Sequence, residues 1–223
     1  MLQPDDHTLV ADAIRAAEAR TDGEISVVVA PESDSYADAV LHWALLFALL
    51  PLALFATFPN LLHGATAFLH DPWADSAPPL RLIALVLLLL TVAAFLVAWA
   101  ILRQPRVRIA VTPHETKVRR CRRRAIMLFR TGTERRTASR TGVLLYLSLA
   151  ERHAEIVADE SIQSKISGEE WGEAMVALLD GVRGGRPGQG IADAVARIGD
   201  VLAAQFPFTG TDPNEMPDRL IEL

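Results

Sequence analysis

The sequence predicts an α/β protein: a three-layer-like sandwich in which helices flank a small central sheet, interrupted by a two-helix transmembrane hairpin. Three observations predict this class. Two long apolar stretches carry no charge, short β-branched runs lie on both sides of them, and helical periodicity surrounds those runs. Hydrophobic residues make up 51% of the 223 residues, and the excess is concentrated in the two stretches.

The hairpin is predicted from residues 40–58 and 82–102, which contain no charged side chain. Each stretch has about the 20 residues that a helix needs to cross a bilayer. Both are apolar on all sides, which favours membrane spans over the alternative of a buried pair of core helices. The outer loop, residues 59–81, has no Lys or Arg before Arg81, whereas the chain after the second span is strongly basic. The positive-inside rule therefore predicts that both termini are cytoplasmic.

The first part of the cytoplasmic domain, residues 1–39, is predicted to hold one helix and one strand. Helical spacing relates the apolar residues Leu9, Val10, Ala13, Ile14 and Ala17. The run EISVVVA at 24–30 predicts a buried strand.

The second part, residues 103–210, is predicted to add two strands and three helices. A basic amphipathic helix covers 115–129, and strands at 143–149 and 153–159 follow it. Ser167 and Glu170 form a capping-box pattern before the next helix, and a last helix is expected near 188–204.

Two segments of the chain are less regular in pattern. Residues 106–112 fit either a strand, by their alternation, or a juxtamembrane turn. The tail, 211–223, is polar until its final residues, so we expect it to be loosely ordered. Because neither part can bury its apolar faces alone, we expect 1–39 and 103–210 to form one domain around the hairpin at 40–102.

A family resemblance rests on several of these stretches. They are RTGVLLYLSLAERHAEIVADESI at 140–162, Trp171, QFP at 205–207 and TDGEISVVV at 21–29. Together they resemble the TPM domain family, and more closely its bacterial membrane-protein branch, in which a transmembrane hairpin follows the first strand. The resemblance implies an α/β sandwich at the bacterial inner membrane. Some members of the family are acid phosphatases, some bind calcium at acidic loops, and others are assembly or repair factors.

Four carboxylates surround the predicted strand hairpin: Glu151, Glu155, Asp159 and Glu160. Calcium takes six to eight oxygen ligands, which such carboxylates supply. The alternative is a solvated turn and strand face. The turn reads AER and is not acid-rich, so no full ligand set maps onto it. Glu151, Asp159 and Glu160 are the candidates for a calcium site and for a phosphatase centre.

The basic helix supplies the candidates for contact with the membrane surface: Lys117, Arg119, Arg120, Arg122, Arg123 and Arg124. Near an anionic leaflet each such residue is worth roughly 1 kcal/mol, although topology determination alone would also explain them. The helix has no interleaved stacking aromatics, so nucleic acid is not an expected partner. Neighbouring arginines would lower the pKa of Cys121, but its place on the apolar stripe indicates ordinary packing.

These observations predict an inner-membrane, two-span protein whose cytoplasmic TPM-like domain acts as a protein-interaction or assembly module. Its expected partners are anionic headgroups and a membrane-associated protein. The alternative function is a membrane-tethered phosphatase, with calcium as the metal that the resemblance implies. The sequence identifies no catalytic residues and no cofactor.

Overall fold

The structure is a computed structural model that describes residues 2–67, 78–133, 141–210 and 218–223. The chain forms two compact units. One, the α/β domain, joins Met1–Asp34 to His114–Leu223, and the other, the hairpin unit, is Ser35–Pro113. The hairpin unit therefore begins five residues before and ends eleven residues after the predicted 40–102.

The α/β domain contains a four-stranded mixed sheet with the strand order β3-β2-β1-β4. Strand β1 is parallel to β2 and to β4, whereas β2 and β3 are antiparallel. Their bounds are β1 Glu24–Ala30, β2 Gly142–Ser148, β3 His153–Ala158 and β4 Leu220–Glu222. The β1–β2 connection contains the whole hairpin unit, and the two strands on either side of it pair in one sheet.

Both central strands are buried on both faces, as the apolar runs predict. Alternate residues of β1, such as Ile25 and Val27, join Leu145 in the core beneath helices on one face. On the opposite face Val28 and Tyr146 pack against a single helix. Helices thus flank the sheet on both sides, which confirms the predicted fold class.

Helices α1, α8 and α9 cover the first face and α6 covers the second. The helices of this domain are α1 Pro4–Glu18, α6 His114–Leu128, α7 Glu160–Gln163, α8 Gly172–Arg183 and α9 Pro187–Gln205. A π-helical turn, Phe129–Thr133, follows α6. The amphipathic α9 is the central helix, with Ile191, Val195 and Ile198 fully buried.

The hairpin unit contains two helices that are long and apolar enough to cross a membrane. They are α2, Ala37–Thr57, and α4, Leu80–Leu102, with mean hydropathies of 2.2 and 2.9. Small side chains of α2, Ala44 and Ala48, are buried within the unit, as is usual where membrane helices approach closely. A further helix, α3, covers Pro59–Ala67 in the predicted outer loop. Residues 68–77 of that loop lie outside the described residues.

Three expectations about local structure are corrected. The segment 106–112, for which we considered a strand or a turn, lies largely in a short helix, α5, Pro105–Val111, with Pro105 in its first turn, where a proline is tolerated. The C-terminal residues are not loosely ordered throughout, because β4 joins the sheet beside β1. Residues 211–217 of the tail lie outside the described residues. The Ser167 backbone N–H does donate to the Glu170 carboxylate, yet α8 begins only at Gly172.

Candidate functional site

Glu151 lies in the turn between β2 and β3 and accepts hydrogen bonds from two serines. Its Oε1 atom accepts a hydrogen bond from the backbone N–H of Ser33 at 2.9 Å. Its Oε2 atom accepts one from the hydroxyl of Ser148. The carboxylate therefore joins the segment after β1 to the end of β2, and both its oxygens serve this connection.

Asp159 closes the other end of the same pair of strands. Its Oδ2 atom accepts from the backbone N–H of Gly142 at 2.9 Å, and its own N–H donates to the Gly142 carbonyl at 3.0 Å. Asp159 is buried, whereas Glu160, the first residue of α7, is exposed.

The candidate carboxylates of the sequence do not form one group. The length of β3, six residues at about 3.3 Å each, places Glu151 and Asp159 roughly 20 Å apart. The expectation that they cluster is therefore wrong. Glu155 instead lies within hydrogen-bond distance of His153 on β3, with 2.7 Å between Oε1 and Nε2. In the described parts of the chain, no three His, Cys, Asp or Glu side chains are placed to hold a metal ion.

Cys121 lies in the core between α6 and the sheet, as its place on the apolar stripe indicates. It is fully buried with Ala125 and Tyr146. The hydroxyl of Ser33 lies 3.1 Å from its sulfur and 2.8 Å from the Tyr146 hydroxyl. Burial raises the pKa of the Cys121 thiol to about 11. The neighbouring arginines therefore do not produce the reactive thiolate that their proximity in sequence suggests.

The basic residues of α6 divide into two groups. Lys117, Arg120 and Arg124 are half-buried, and Arg120 forms an ion pair with Asp34 at 2.9 Å. Arg120 therefore forms its ion pair within the domain. It is the residue of the predicted membrane-contact set that is not available at the surface. The exposed group consists of Arg119, Arg122, Arg123 and, beyond the helix, Arg130. We call these four residues the arginine stripe.

The arginine stripe follows from helical periodicity. Arg122 and Arg123 follow Arg119 by three and four residues, so these three lie on one side of α6, and Arg130 lies in the π-helical turn after the helix. The apolar face, with Cys121 and Ala125, is packed on the sheet. Among the residues that the structure describes, no stripe arginine lies within ion-pair distance of a carboxylate. The stripe is therefore a concentrated positive surface that no carboxylate of the described residues neutralises.

Sequence reasoning did not find one further group of charged residues. Glu18, Glu24 and Asp218 line a pocket of about 250 Å³ together with Arg15 and Thr21. The backbone N–H of Ile25 donates to Glu18 Oε1 at 2.8 Å. Burial is the main cause that raises the pKa of Glu18 to about 8, and the charges of Glu24 and Asp218 add to it.

This pocket joins the end of α1, the start of β1 and the segment before β4, so residues about 200 positions apart meet there. The apolar residues around Asp218 in the sequence were the only available sign that the tail returns to the sheet. Chemically, the pocket holds a carboxyl group whose pKa is raised to about 8. Its charge state is therefore linked to the stability of the domain.

Comparison with known proteins agrees with the fold. No family model matches the chain, and no curated protein matches it. The structure is similar to the NMR structure of the BA42 protein from the psychrophilic bacterium Bizionia argentinensis, with 18% sequence identity and a TM-score of 0.58. The match covers 100% of this chain and 96% of that one. At this level of identity the similarity establishes a shared α/β fold.

Proposed function

We propose that this chain is a two-span inner-membrane protein whose TPM-like α/β domain is an interaction module at the cytoplasmic face. In this proposal the arginine stripe holds the domain against anionic headgroups, and the remaining surface is free to dock a membrane-associated protein. Support comes from the two apolar helices, the sequence resemblance of 140–162 and the charge of α6.

The arginine stripe is the observation that carries the proposal. Four exposed arginines, three on α6 and one in the turn after it, have no carboxylate partner among the described residues, while the apolar face of α6 is packed in the core. Insertion of an apolar helix face into lipid is therefore not available to α6, and its attraction to a membrane is electrostatic. At roughly 1 kcal/mol for each arginine near an anionic surface, the stripe contributes about 4 kcal/mol at most.

The test of the stripe uses arginines of the same molecule as controls. Full-length protein is placed in nanodiscs of phosphatidylcholine, with or without phosphatidylglycerol, and its arginines are modified with phenylglyoxal. Mass spectrometry then compares the stripe with four other exposed arginines, Arg15, Arg183, Arg186 and Arg197. We expect several-fold slower modification of the stripe in anionic nanodiscs alone, and loss of this protection in 1 M salt, where the screening length is about 3 Å.

Equal modification rates for stripe and control arginines in both lipids would contradict headgroup binding by α6. Cross-linking in native membranes then tests the docking of a protein. A partner that is lost when the four stripe arginines become Gln, and kept when the four control arginines do, supports the module. Loss of the same partner from both variants would show only a general effect of charge.

The proposed orientation follows from the lysine and arginine residues beside the second span. A reporter fused after Leu223 is expected to behave as cytoplasmic, and a periplasmic signal would reverse the orientation. The phosphatase alternative built on Glu151, Asp159 and Glu160 has no common site, because the first two lie at opposite ends of β3. A test of phosphomonoester hydrolysis by the purified protein addresses that alternative directly.

A further inference from the structure

Strand β4 forms an edge of the sheet and is held there by few contacts. Its ladder with β1 joins three residue pairs, and Leu220 is the one residue of the strand that is buried. Beyond the strand, the N–H of Leu223 donates to the carbonyl of Val29 at 3.1 Å. Short edge elements with few buried contacts open at a lower free energy than the core of a domain. We therefore expect β4 to leave the sheet without unfolding of β1 and β2.

The chain just before β4 lines a pocket of about 250 Å³ at the end of α1. We call it the carboxylate pocket, after Glu18 at the end of α1, Glu24 at the start of β1 and Asp218 before β4. Because a single residue separates Asp218 from β4, departure of the strand from the sheet moves a wall of this pocket. Opening of β4 and exposure of Glu18 to water are therefore coupled.

The closed carboxylate pocket gives Glu18 little support for a negative charge. Its Oε1 atom accepts the hydrogen bond from the N–H of Ile25, whereas Oε2 is buried and has no hydrogen-bond partner among the described residues. Nor does any Lys or Arg of the described residues lie within ion-pair distance of Glu18. An unpaired carboxylate oxygen is costly to bury, so the closed pocket favours the protonated carboxyl group. The pKa of Glu18, which burial raises to about 8, agrees with this geometry.

Charged groups on three elements face Glu18. Glu24 faces it from β1 and Asp218 from the segment before β4, and the charges of both oppose its ionisation. Arg15 lies one turn earlier on α1 and also lines the pocket, but its guanidinium donates to the carboxylate of Asp12. Loss of the proton from Glu18 therefore adds a negative charge beside Asp218, and outward movement of Asp218 relieves the repulsion.

We propose that β4 is a pH-controlled latch, closed on the sheet while Glu18 keeps its proton and released when Glu18 ionises beside Glu24 and Asp218. Release frees the outer edge of β1, because residues 27–29 lose their partner strand. An uncovered strand edge can accept an extended segment of another chain, so the latch controls access to β1. It rests on the α/β domain alone and is independent of the arginine stripe and of membrane insertion.

The direction and size of the effect follow from proton linkage. The closed latch keeps the proton on Glu18 up to about pH 8, whereas in the open latch water lowers the pKa toward its ordinary value of 4.5. The closed state is therefore most favoured below pH 4.5, loses stability as the pH rises to about 8, and changes little above that. With a full return to 4.5, the ratio of open to closed latch would rise about 50-fold between about pH 6 and pH 8. Helix α1 still covers part of Glu18 in the open state, so we expect about tenfold.

Hydrogen–deuterium exchange of the full-length protein in detergent tests the latch. Protection factors, corrected for the intrinsic exchange rate at each pH, are compared at about pH 6 and pH 8 for the peptide 218–223 and for β2, Gly142–Ser148. We expect the C-terminal peptide to lose about tenfold in protection and to stay less protected than β2 at both pH values. Its exchange should be insensitive to low urea, because local opening exposes little surface, whereas exchange of β2 should be sensitive.

Three variants assign the effect to the carboxylate pocket. Glu18→Gln cannot ionise and should show no loss of protection with pH. Asp218→Asn should show a smaller loss than the wild type, because it removes a charge that opposes ionisation of Glu18. Glu222→Gln is the matched control, an acid of β4 that lies outside the pocket. Its exposed contact with His7, at 3.7 Å, contributes little, so this variant should behave as the wild type does.

Any of four results would overturn the latch. The first two are unchanged protection of the wild-type C-terminal peptide between the two pH values, and an equal loss in the wild type and Glu18→Gln. The third is equal protection and equal urea dependence of the C-terminal and β2 peptides, which would mean that β4 opens only when the whole domain unfolds. The fourth is loss of the pH effect in Glu222→Gln, which would assign it to the contact with His7 instead.

Discussion

Replacing Glu18 by Gln is expected to stabilise the α/β domain by an amount that grows with pH. Burial raises the pKa of Glu18 to about 8, against an ordinary value of 4.5. Gln retains the oxygen that accepts the hydrogen bond from the N–H of Ile25, but it cannot ionise. The variant therefore removes the cost of holding a titratable group beside Glu24 and Asp218.

The sign and size of the effect follow from proton linkage. Below pH 4.5 the folded and unfolded states both keep the proton on Glu18, and the variant and wild type should be equally stable. Between pH 4.5 and about 8 the unfolded state releases the proton while the folded state keeps it, so the wild type loses stability as the pH rises. The shift of about 3.5 pH units sets a ceiling of roughly 5 kcal/mol. Water at the mouth of the pocket reduces this, and we expect about 2 kcal/mol at pH 8.

Thermal unfolding of the full-length protein in detergent, followed by near-UV circular dichroism from pH 4.5 to 9, measures this difference. A gain of about 2 kcal/mol corresponds to roughly 6 °C in Tm for a domain of this size. Glu169→Gln is the control, because Glu169 is an exposed carboxylate outside the pocket. A constant offset between variant and wild type at every pH, or a loss of stability that increases with pH, would refute the reasoning.

Three other substitutions or reactions test the packing of the domain. Gly181→Ala should cost about 1–3 kcal/mol in denaturant unfolding, because its new Cβ would lie 2.3 Å from the Cα of Gly190, whereas Gly172→Ala meets open space and should cost nothing. Leu145→Ala, at a fully buried position of β2, should cost about 2–5 kcal/mol and expose the domain to trypsin while the protein stays in the membrane fraction. Cys121 should resist alkylation at pH 8 until the protein is unfolded in urea, since the pKa of its thiol is raised to about 11; complete modification of the native protein contradicts its burial.

The pattern of apolar residues predicted the elements whose burial follows a regular pattern. The runs at β1 and β2 are continuous because both strands are covered on two faces, and α6 shows its stripe because only one face packs. In α5 the alternation of polar and apolar residues was misleading, because it is typical of a strand. The residues of Pro105–Val111 alternate between polar and apolar in the sequence. A proline at the helix start and the packing of Val107 and Val111 on the hairpin nevertheless favour a helix.

The candidate site was less predictable because proximity in sequence is a poor guide to proximity in space. Glu151 and Asp159 are eight residues apart and lie at opposite ends of a strand, whereas Glu18 and Asp218 line one pocket. Strand β4 has only three residues, too short to show a period, so the sequence could not place Asp218 beside α1. The exposed arginines could be counted from the sequence, but the pairing of Arg120 with Asp34 required the fold.

If the hairpin unit crosses a bilayer as proposed, the pairing of β1 with β2 makes the sheet dependent on how the chain is inserted. These strands lie on either side of the hairpin unit in sequence and are neighbours in the sheet. A chain that crossed the bilayer only once would leave the two strands in different compartments, and no sheet could form between them. An even number of crossings is therefore a condition for folding. A chain threaded wrongly would expose the strand Glu24–Ala30, which is buried along its whole length in the folded domain, to the proteases that remove unfolded proteins.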